Sequence, residues 1–474
     1  MDPYARPLAR PVPKPAPRPL FSRRRALGLL AATGALTALP ATARRADAAA
    51  RPAAARAAAF VGDPVHYWNG VLLDVFRKQT GVGPGPLARA AAMTNVAIFD
   101  AVSAYYNTWY KMKYRPYLEA PKYSGAPFQQ GPDEQERVIG FTARDILVRL
   151  FPNESLFVNQ RFKDRFGNDW TAFDIIKPLI AEPTAKRVWD HRLLDRSSNE
   201  DAYNLDGKPG AWRPTGGASC SQESDAVDPY WGLVEPFAIP AGAHFRPPTP
   251  ERFATYEALL ASEEYRKQVE EVRRVGSATA SPADRDADKT AAAWFWANDA
   301  DRTYKPPGQL IDHTRTVTAL RKLDTYENAR LFALLSLALA DAAIAEWDVK
   351  YRTEIDLWRP VSAIREGLGD TAWQPLGATP CFPAWASGHA AFAGAWGTIM
   401  RAYFKTDAIA FEGRTDDTKS PVRTRRFTGF RHAEEENAMS RLYLGVHYRW
   451  DATDGLQLGR DVGNHVFTNK LQEI

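Results

Sequence analysis

The stretch Ser440-Arg441-Leu442-Tyr443-Leu444-Gly445-Val446-His447-Tyr448-Arg449-Trp450-Asp451 decides how the rest of this chain is read. Glycine adopts a left-handed backbone at little cost and so commonly stops a helix. Gly445 therefore predicts one helix closing soon after Arg441 and another opening near His447. Asp451 follows His447 by four residues, one helical turn, where a carboxylate orients an imidazole. An imidazole held in that way keeps its second nitrogen as a nucleophile or a metal ligand. For this segment alone, a buried structural His–Asp pair is the plainer alternative.

Two segments upstream extend the pattern. Ser387-Gly388-His389 stands immediately before an Ala-rich helical run that begins at Ala390. Ser387 is placed as an N-cap, and the free N–H groups and dipole of a helix start favour an anion. Gly388 permits close backbone approach, and His389 falls within reach of the same anion as an acid or base. Further upstream lies Lys350-Tyr-Arg352-Thr-Glu-Ile-Asp-Leu-Trp358-Arg359-Pro360. Arg352 precedes Arg359 by seven residues, two helical turns, which puts both on nearly one face of a continuous helix. On the same ideal helix Lys350 falls on roughly the opposite face. Arginines on one face grip neighbouring oxygens of an oxyanion through their planar forks. Glu354 and Asp356 leave a solvated charged face as the other reading. Cations, a hydroxyl, a glycine N–H and two imidazoles, in this order within about a hundred residues, suit a tetrahedral oxyanion such as phosphate or vanadate.

The composition agrees with a soluble globular chain of 474 residues, 45% hydrophobic and 25% charged, long enough for one large core or two smaller ones. The net charge of +5 belongs to the N-terminus. Residues 1–50 hold nine Lys/Arg and two Asp, so the remainder carries −2 and offers no basic field for nucleic acid. Ser22-Arg23-Arg24-Arg25-Ala26-Leu27 resembles a twin-arginine motif. An apolar stretch and small-residue sites after Ala43 or Ala48 follow, so residues 1–48 are expected to be an export signal. Leu331–Ala345 approaches membrane-span composition, but Asp341 interrupts it and a buried core helix is expected, with no stable span in the mature protein. Cys220 and Cys381 are too few for a disulfide framework, and sequence leaves their pairing open.

Helical patterns dominate: Leu87–Tyr106, Glu134–Phe151, Pro183–Leu194, Glu251–Val275, Thr316–Lys350 as one or two helices, Ala390–Tyr403 and Trp450–Phe467. No run of alternating strands and no repeat is evident. Asn204–Pro250 is dense in Pro and Gly, which breaks helices. The expected organisation is an N-terminal helical bundle over 49–203, a connection over 204–250 and a C-terminal bundle over 251–474. The length also allows one interleaved core.

The three segments resemble the superfamily shared by vanadium-dependent haloperoxidases and type 2 phosphatidic acid phosphatases. Its pattern runs Lys-x6-Arg-Pro, Pro-Ser-Gly-His and Ser-Arg-x5-His-x3-Asp. The haloperoxidase branch is also resembled at Glu354–Pro360, at Phe382-Pro383-Ala384, at Phe295-Trp296-Ala297 with Asp299, and at Phe245-Arg-Pro-Pro. The resemblance implies an all-α, vanadium chloroperoxidase-like fold of two helical bundles with the site in the C-terminal one. It implies vanadate (V5+) bound axially by His447. The oxygens would be held by Arg352 or Lys350, Arg359, Ser387, the Gly388 N–H and Arg441. His389 would move protons, Asp451 would orient His447 and Asp299 would brace Arg441. Phe382 and Trp385 would line a halide pocket, Phe382 leaning toward the chloride-oxidising type. Partners would be hydrogen peroxide, a halide and a small organic acceptor, and the product hypohalous acid.

Two departures stand out. Seven-residue spacing puts Arg352, not a lysine, at the family lysine position, and Ala386 replaces the proline before Ser387. A soluble acid phosphatase, with His447 attacking phosphorus and His389 protonating the leaving group, uses the same residues, since vanadate mimics the phosphoryl transition state. A non-enzymatic anion-binding relative is the third reading.

Overall fold

The helical periodicities become helices, with boundaries set by local caps. The structure is a computed structural model that describes residues 62–123, 131–167, 177–199, 203–216 and 220–474. The expected leader lies outside the described residues. In chain order the helices are α1 (Pro64–Lys78), α2 (Pro84–Trp109), α3 (Pro132–Leu150), α4 (Ser155–Phe166), α5 (Glu182–His191), α6 (Tyr256–Ala261), α7 (Glu263–Val275), α8 (Ala287–Phe295), α9 (Lys305–Arg321), α10 (Thr325–Arg352) and α11 (Gly388–Phe404). A two-stranded antiparallel hairpin, β1 (Phe411–Arg414) and β2 (Thr424–Phe427), pairs Phe411 with Phe427. Then come α12 (Phe430–Tyr443) and α13 (Arg449–Asn469).

The expected helix over Glu251–Val275 is two, α6 and α7. Ser262 interrupts it, its hydroxyl accepting the Tyr265 N–H at 3.1 Å as the N-cap of α7. The run Thr316–Lys350 divides likewise. Lys322 is left-handed (φ 52°), and Asp324 caps α10 by accepting the Glu327 N–H at 2.8 Å. The hairpin departs from the all-helical expectation: its strands are four residues long, β1 alternating buried with exposed positions and β2 burying only Phe427.

α10 is the central post. It packs on α2, α11 and α13, so elements on both sides of the irregular stretch share one core, and the described residues fall within one compact unit. α10 is long and apolar enough to cross a membrane, but the apolar window is wholly buried inside the fold. Its one central carboxylate, Asp341, is fully buried and accepts the N–H groups of Phe237, Ala238 and Ile239 at 2.7, 2.7 and 2.9 Å. Those bonds supply the partners that buried irregular backbone needs. They fasten the Pro/Gly-rich stretch, whose described residues hold short 3-10 turns, along α10. α11 and α13 make the most extensive helix pair, meeting through Ala390, Ala393 and Ala452. That close approach brings the helix start at Ser387 against the His447–Asp451 turn.

Candidate oxyanion site

His447 sits where α12 has ended and α13 has not begun. Gly445 makes the stop with φ 82°, a conformation that favours glycine, and a Cβ there would lie 2.3 Å from the Gly276 carbonyl oxygen. The Asp451 carboxylate accepts the Tyr448 N–H at 3.0 Å and faces His447 Nδ1 at 2.9 Å. Burial, together with Arg359, Lys350 and Arg441, holds the His447 pKa well below the usual histidine range, so the ring is neutral. Nδ1–H is then the donor to Asp451, and Nε2 keeps its lone pair. Arg359 Nη1 donates to Nε2 at 3.0 Å.

The donors around that nitrogen come from three separate stretches. Arg359 ends an extended run and caps the short turn Pro360–Ser362. Its Nε donates to the Phe382 carbonyl at 2.6 Å and its Nη1 also to the Val446 carbonyl at 2.8 Å, while Nη2 is buried without a partner. Arg441, fully buried near the end of α12, donates Nη2 to Asp299 at 2.9 Å and leaves Nε and Nη1 buried and unpartnered. Ser387 caps α11, its hydroxyl facing the Ala390 N–H at 3.5 Å, and its own N–H donates to the Asp451 carbonyl at 2.9 Å. Gly388 opens α11 directly behind it. His389 Nε2 faces the Ala297 carbonyl at 3.0 Å, so that nitrogen carries the proton and Nδ1 the lone pair. Burial, then Arg441, pushes the His389 pKa down to about 4 against the opposing pull of Asp299. Asp299 lies 4.0 Å from His389 and is the half-exposed member of the set.

The lysine position is corrected by the structure. α10 ends at Arg352, and residues 353–359 run extended, with Leu357 bridged to Ala211 and its carbonyl accepting the Ala384 N–H. The two-turn spacing of Arg352 and Arg359 therefore does not put them on one face. Arg352 is 42% exposed, with Asp348 at 3.9 Å as its nearest carboxylate. Lys350, fully buried, points inward instead. Its Nζ donates to the Pro383 carbonyl at 2.8 Å, also reaches the carbonyls of Ala384 and Ala386, and lies 4.8 Å from the Phe382 ring centre, on which Arg359 also lies at 4.6 Å. Burial pushes its pKa down to about 8, with Glu346 opposing.

Phe382 is thus part of the cluster. Trp385, expected beside it, is fully buried and donates its indole N–H to Asp454 at 2.9 Å, so its one polar atom serves α13 and not the cluster. Cys381, next to Phe382, forms a disulfide with Cys220. Sequence reasoning passed over Glu346. It is fully buried one turn before Lys350, 2.8 Å from Nζ, and its carboxylate lies 3.4 Å from where a Cβ on Gly388 would stand. The signal was present as a Glu–Lys pair at i, i+4.

Three buried guanidinium nitrogens without partners belong to arginines whose charges act on the neutral His447 ring, beside the start of α11. Among the described residues no group of three or more His, Cys, Asp or Glu could cage a bare metal ion. The donor set is that of an anion site with one imidazole ligand, and tetrahedral vanadate fits it.

Residues 330–474, which include every cation and both imidazoles above, match the family described as the VCPO second helical-bundle domain. There and beyond that stretch the chain is similar to vanadium-dependent haloperoxidases. It is 27% identical to the vanadium chloroperoxidase of Curvularia inaequalis, over 81% of this chain and 78% of that one. A bacterial vanadium-dependent iodoperoxidase structure shares the fold with a TM-score of 0.66 at 23% identity, covering 87% of this chain and 95% of the other. A holo-type bacterial vanadium-dependent chloroperoxidase gives 0.63 at 16% identity, covering 83% and 95%. The mostly helical, haloperoxidase-like fold expected from the sequence is therefore the one observed, with the short β1–β2 hairpin added to it.

Proposed function

We propose that this chain is a vanadium-dependent haloperoxidase that uses hydrogen peroxide to oxidise a halide to hypohalous acid, which halogenates a small organic acceptor. The observation that carries the proposal is the neutral His447 Nε2 surrounded by Arg359, Lys350 and Arg441, with buried guanidinium N–H groups left unpartnered. Bound vanadate would supply Lewis acidity toward peroxide. Asp451 fixes the tautomer that leaves His447 Nε2 unprotonated, the atom that would hold the vanadium. Arg359, Arg441, Lys350, the Ser387 hydroxyl and the Gly388 N–H would hold the oxygens and offset their charge. His389, neutral above about pH 4, takes a proton at Nδ1 while Ala297 and Asp299 hold the other side of the ring. Burial of the set excludes bulk water. The relatives named above include chloride and iodide enzymes, so the halide is read from Phe382, whose apolar ring leans toward chloride.

The test is reconstitution with orthovanadate and an assay of monochlorodimedone bromination and chlorination with peroxide. Turnover that depends on vanadate is expected. Phosphate ester cleavage in its place, with a phosphohistidine trapped at His447, would replace this reading by that of a phosphatase.

We also propose export by the twin-arginine route. Its supports are the Ser22-Arg23-Arg24-Arg25 leader and a Cys220–Cys381 disulfide of the sort that persists in oxidising compartments. Arg23→Lys with Arg24→Lys should trap the protein inside the cell. Undiminished secretion would refute the route.

A further inference from the structure

The charges around the site nearly cancel. Lys350 is matched by Glu346 at 2.8 Å, and Arg441 by Asp299 at 2.9 Å. Among the described residues Arg359 has no carboxylate at ion-pair distance: its partners are two carbonyl oxygens and His447 Nε2. Asp451, the carboxylate next nearest along this chain of contacts, lies beyond the His447 ring. At most one unit of positive charge is left uncompensated.

Glu346 is the unusual member. A buried carboxylate is normally hydrogen-bonded on both oxygens. Here Oε1 has only Lys350 Nζ, at 2.8 Å, and Oε2 is buried with no donor. The carboxylate lies against Gly388, under the first turn of α11, where an oxyanion is expected to be received. We infer that Glu346 sets the charge of the anion this pocket accepts, favouring a tetrahedral oxyanion with a single negative charge over one with two.

The inference rests on the oxyanion reading above. With Glu346 ionised beside the Lys350 ammonium, the pair adds no net charge. A dianion entering beside Arg359 therefore meets one compensating charge, not two. Repulsion from a fixed carboxylate at a few ångströms grows in proportion to the charge of the guest, and in a buried site it is weakly screened. Glu346 acts through Lys350 and through the field, so it is a positioning residue with no contact to the reacting atoms.

Perrhenate and molybdate are tetrahedral oxyanions of similar size with charges of minus one and minus two, and neither titrates near neutral pH. Their affinities for the full-length, vanadate-free protein, measured by calorimetry, supply the test. Wild type should bind perrhenate at least as tightly as molybdate. Glu346→Gln keeps the shape and removes the charge, and it should raise the molybdate-to-perrhenate affinity ratio by at least about tenfold. Glu346→Asp should retain the wild-type ratio. Equal weakening of both anions in Glu346→Gln, or an unchanged ratio, would overturn the inference and leave the haloperoxidase reading standing. Failure of wild type to bind either anion, or binding that survives Arg359→Ala undiminished, would sink both. An unaltered thermal midpoint in Glu346→Gln shows that the comparison is between folded proteins, and Glu346→Asp carries the test if that midpoint falls.

Discussion

Two buried clusters of charge in this protein look alike in composition and differ in completeness. In the first, Asp195 receives Arg89 Nε at 2.7 Å and Arg192 Nε at 2.9 Å. The remaining guanidinium arms go to the carbonyls of Arg192, Glu235 and Pro236, and no buried side-chain polar atom of the three residues lacks a partner. In the second, Arg359 Nη2 and Arg441 Nε and Nη1 are equally buried and have none. Stranding a buried charged donor costs more than leaving a neutral one unmatched. A complete cluster is a brace. The incomplete one is the cluster proposed above to receive an oxyanion, and its unmatched donors, rather than buried charge alone, are what set it apart from the brace.

That contrast is open to experiment. His447→Ala removes the imidazole proposed to hold vanadate and should abolish vanadate-dependent turnover, by more than about a thousandfold, with little change in unfolding. Retained turnover would break the contrast at its centre. Arg89→Ala should do the reverse: urea unfolding should show a loss of about 1.5–3 kcal/mol, because Asp195 loses one of its two buried guanidinium partners and keeps Arg192, with oxyanion affinity unchanged in the folded fraction. Loss of affinity without loss of stability would mean that the brace is part of the site.

Cys220→Ser opens a covalent link across 161 residues and should cost about 2–5 kcal/mol in the same assay. Asp451→Asn should lower oxyanion affinity by about ten- to a hundredfold, the usual effect of removing the group that orients a ligating histidine. The smallest change is expected from Arg352→Ala. An exposed arginine 3.9 Å from its nearest carboxylate should alter affinity by less than about twofold, and a large loss would restore it to the anion set.

What the sequence made legible was local. Ser387 as an N-cap, Gly445 as a stop and Asp451 one turn from His447 follow from spacing and backbone preference, and all three stand where expected. The choice between Lys350 and Arg352 was not local. It turned on where α10 stops, and no glycine or proline marks that point. The extended run after it is held by Ala211 and Ala384, the first of them far away in sequence. Glu346 could be counted as an i, i+4 partner of Lys350, but only the packing of α11 over α10 turns it into a buried charge beside the site. The two cysteines show the same limit, because their meeting depends on the irregular stretch folding back along α10.

Near-total burial of the ring of donors has a consequence in time. Lys350, Arg359, Ser387, Arg441 and Asp451 are all 0% exposed and His447 1%, whereas the Asp299 side chain is 42% exposed. A guest that leaves must break several contacts together and pass the Asp299–Arg441 pair, so differences in retention fall mainly on the departure rate. An oxyanion bound as proposed should therefore survive dilution and dialysis.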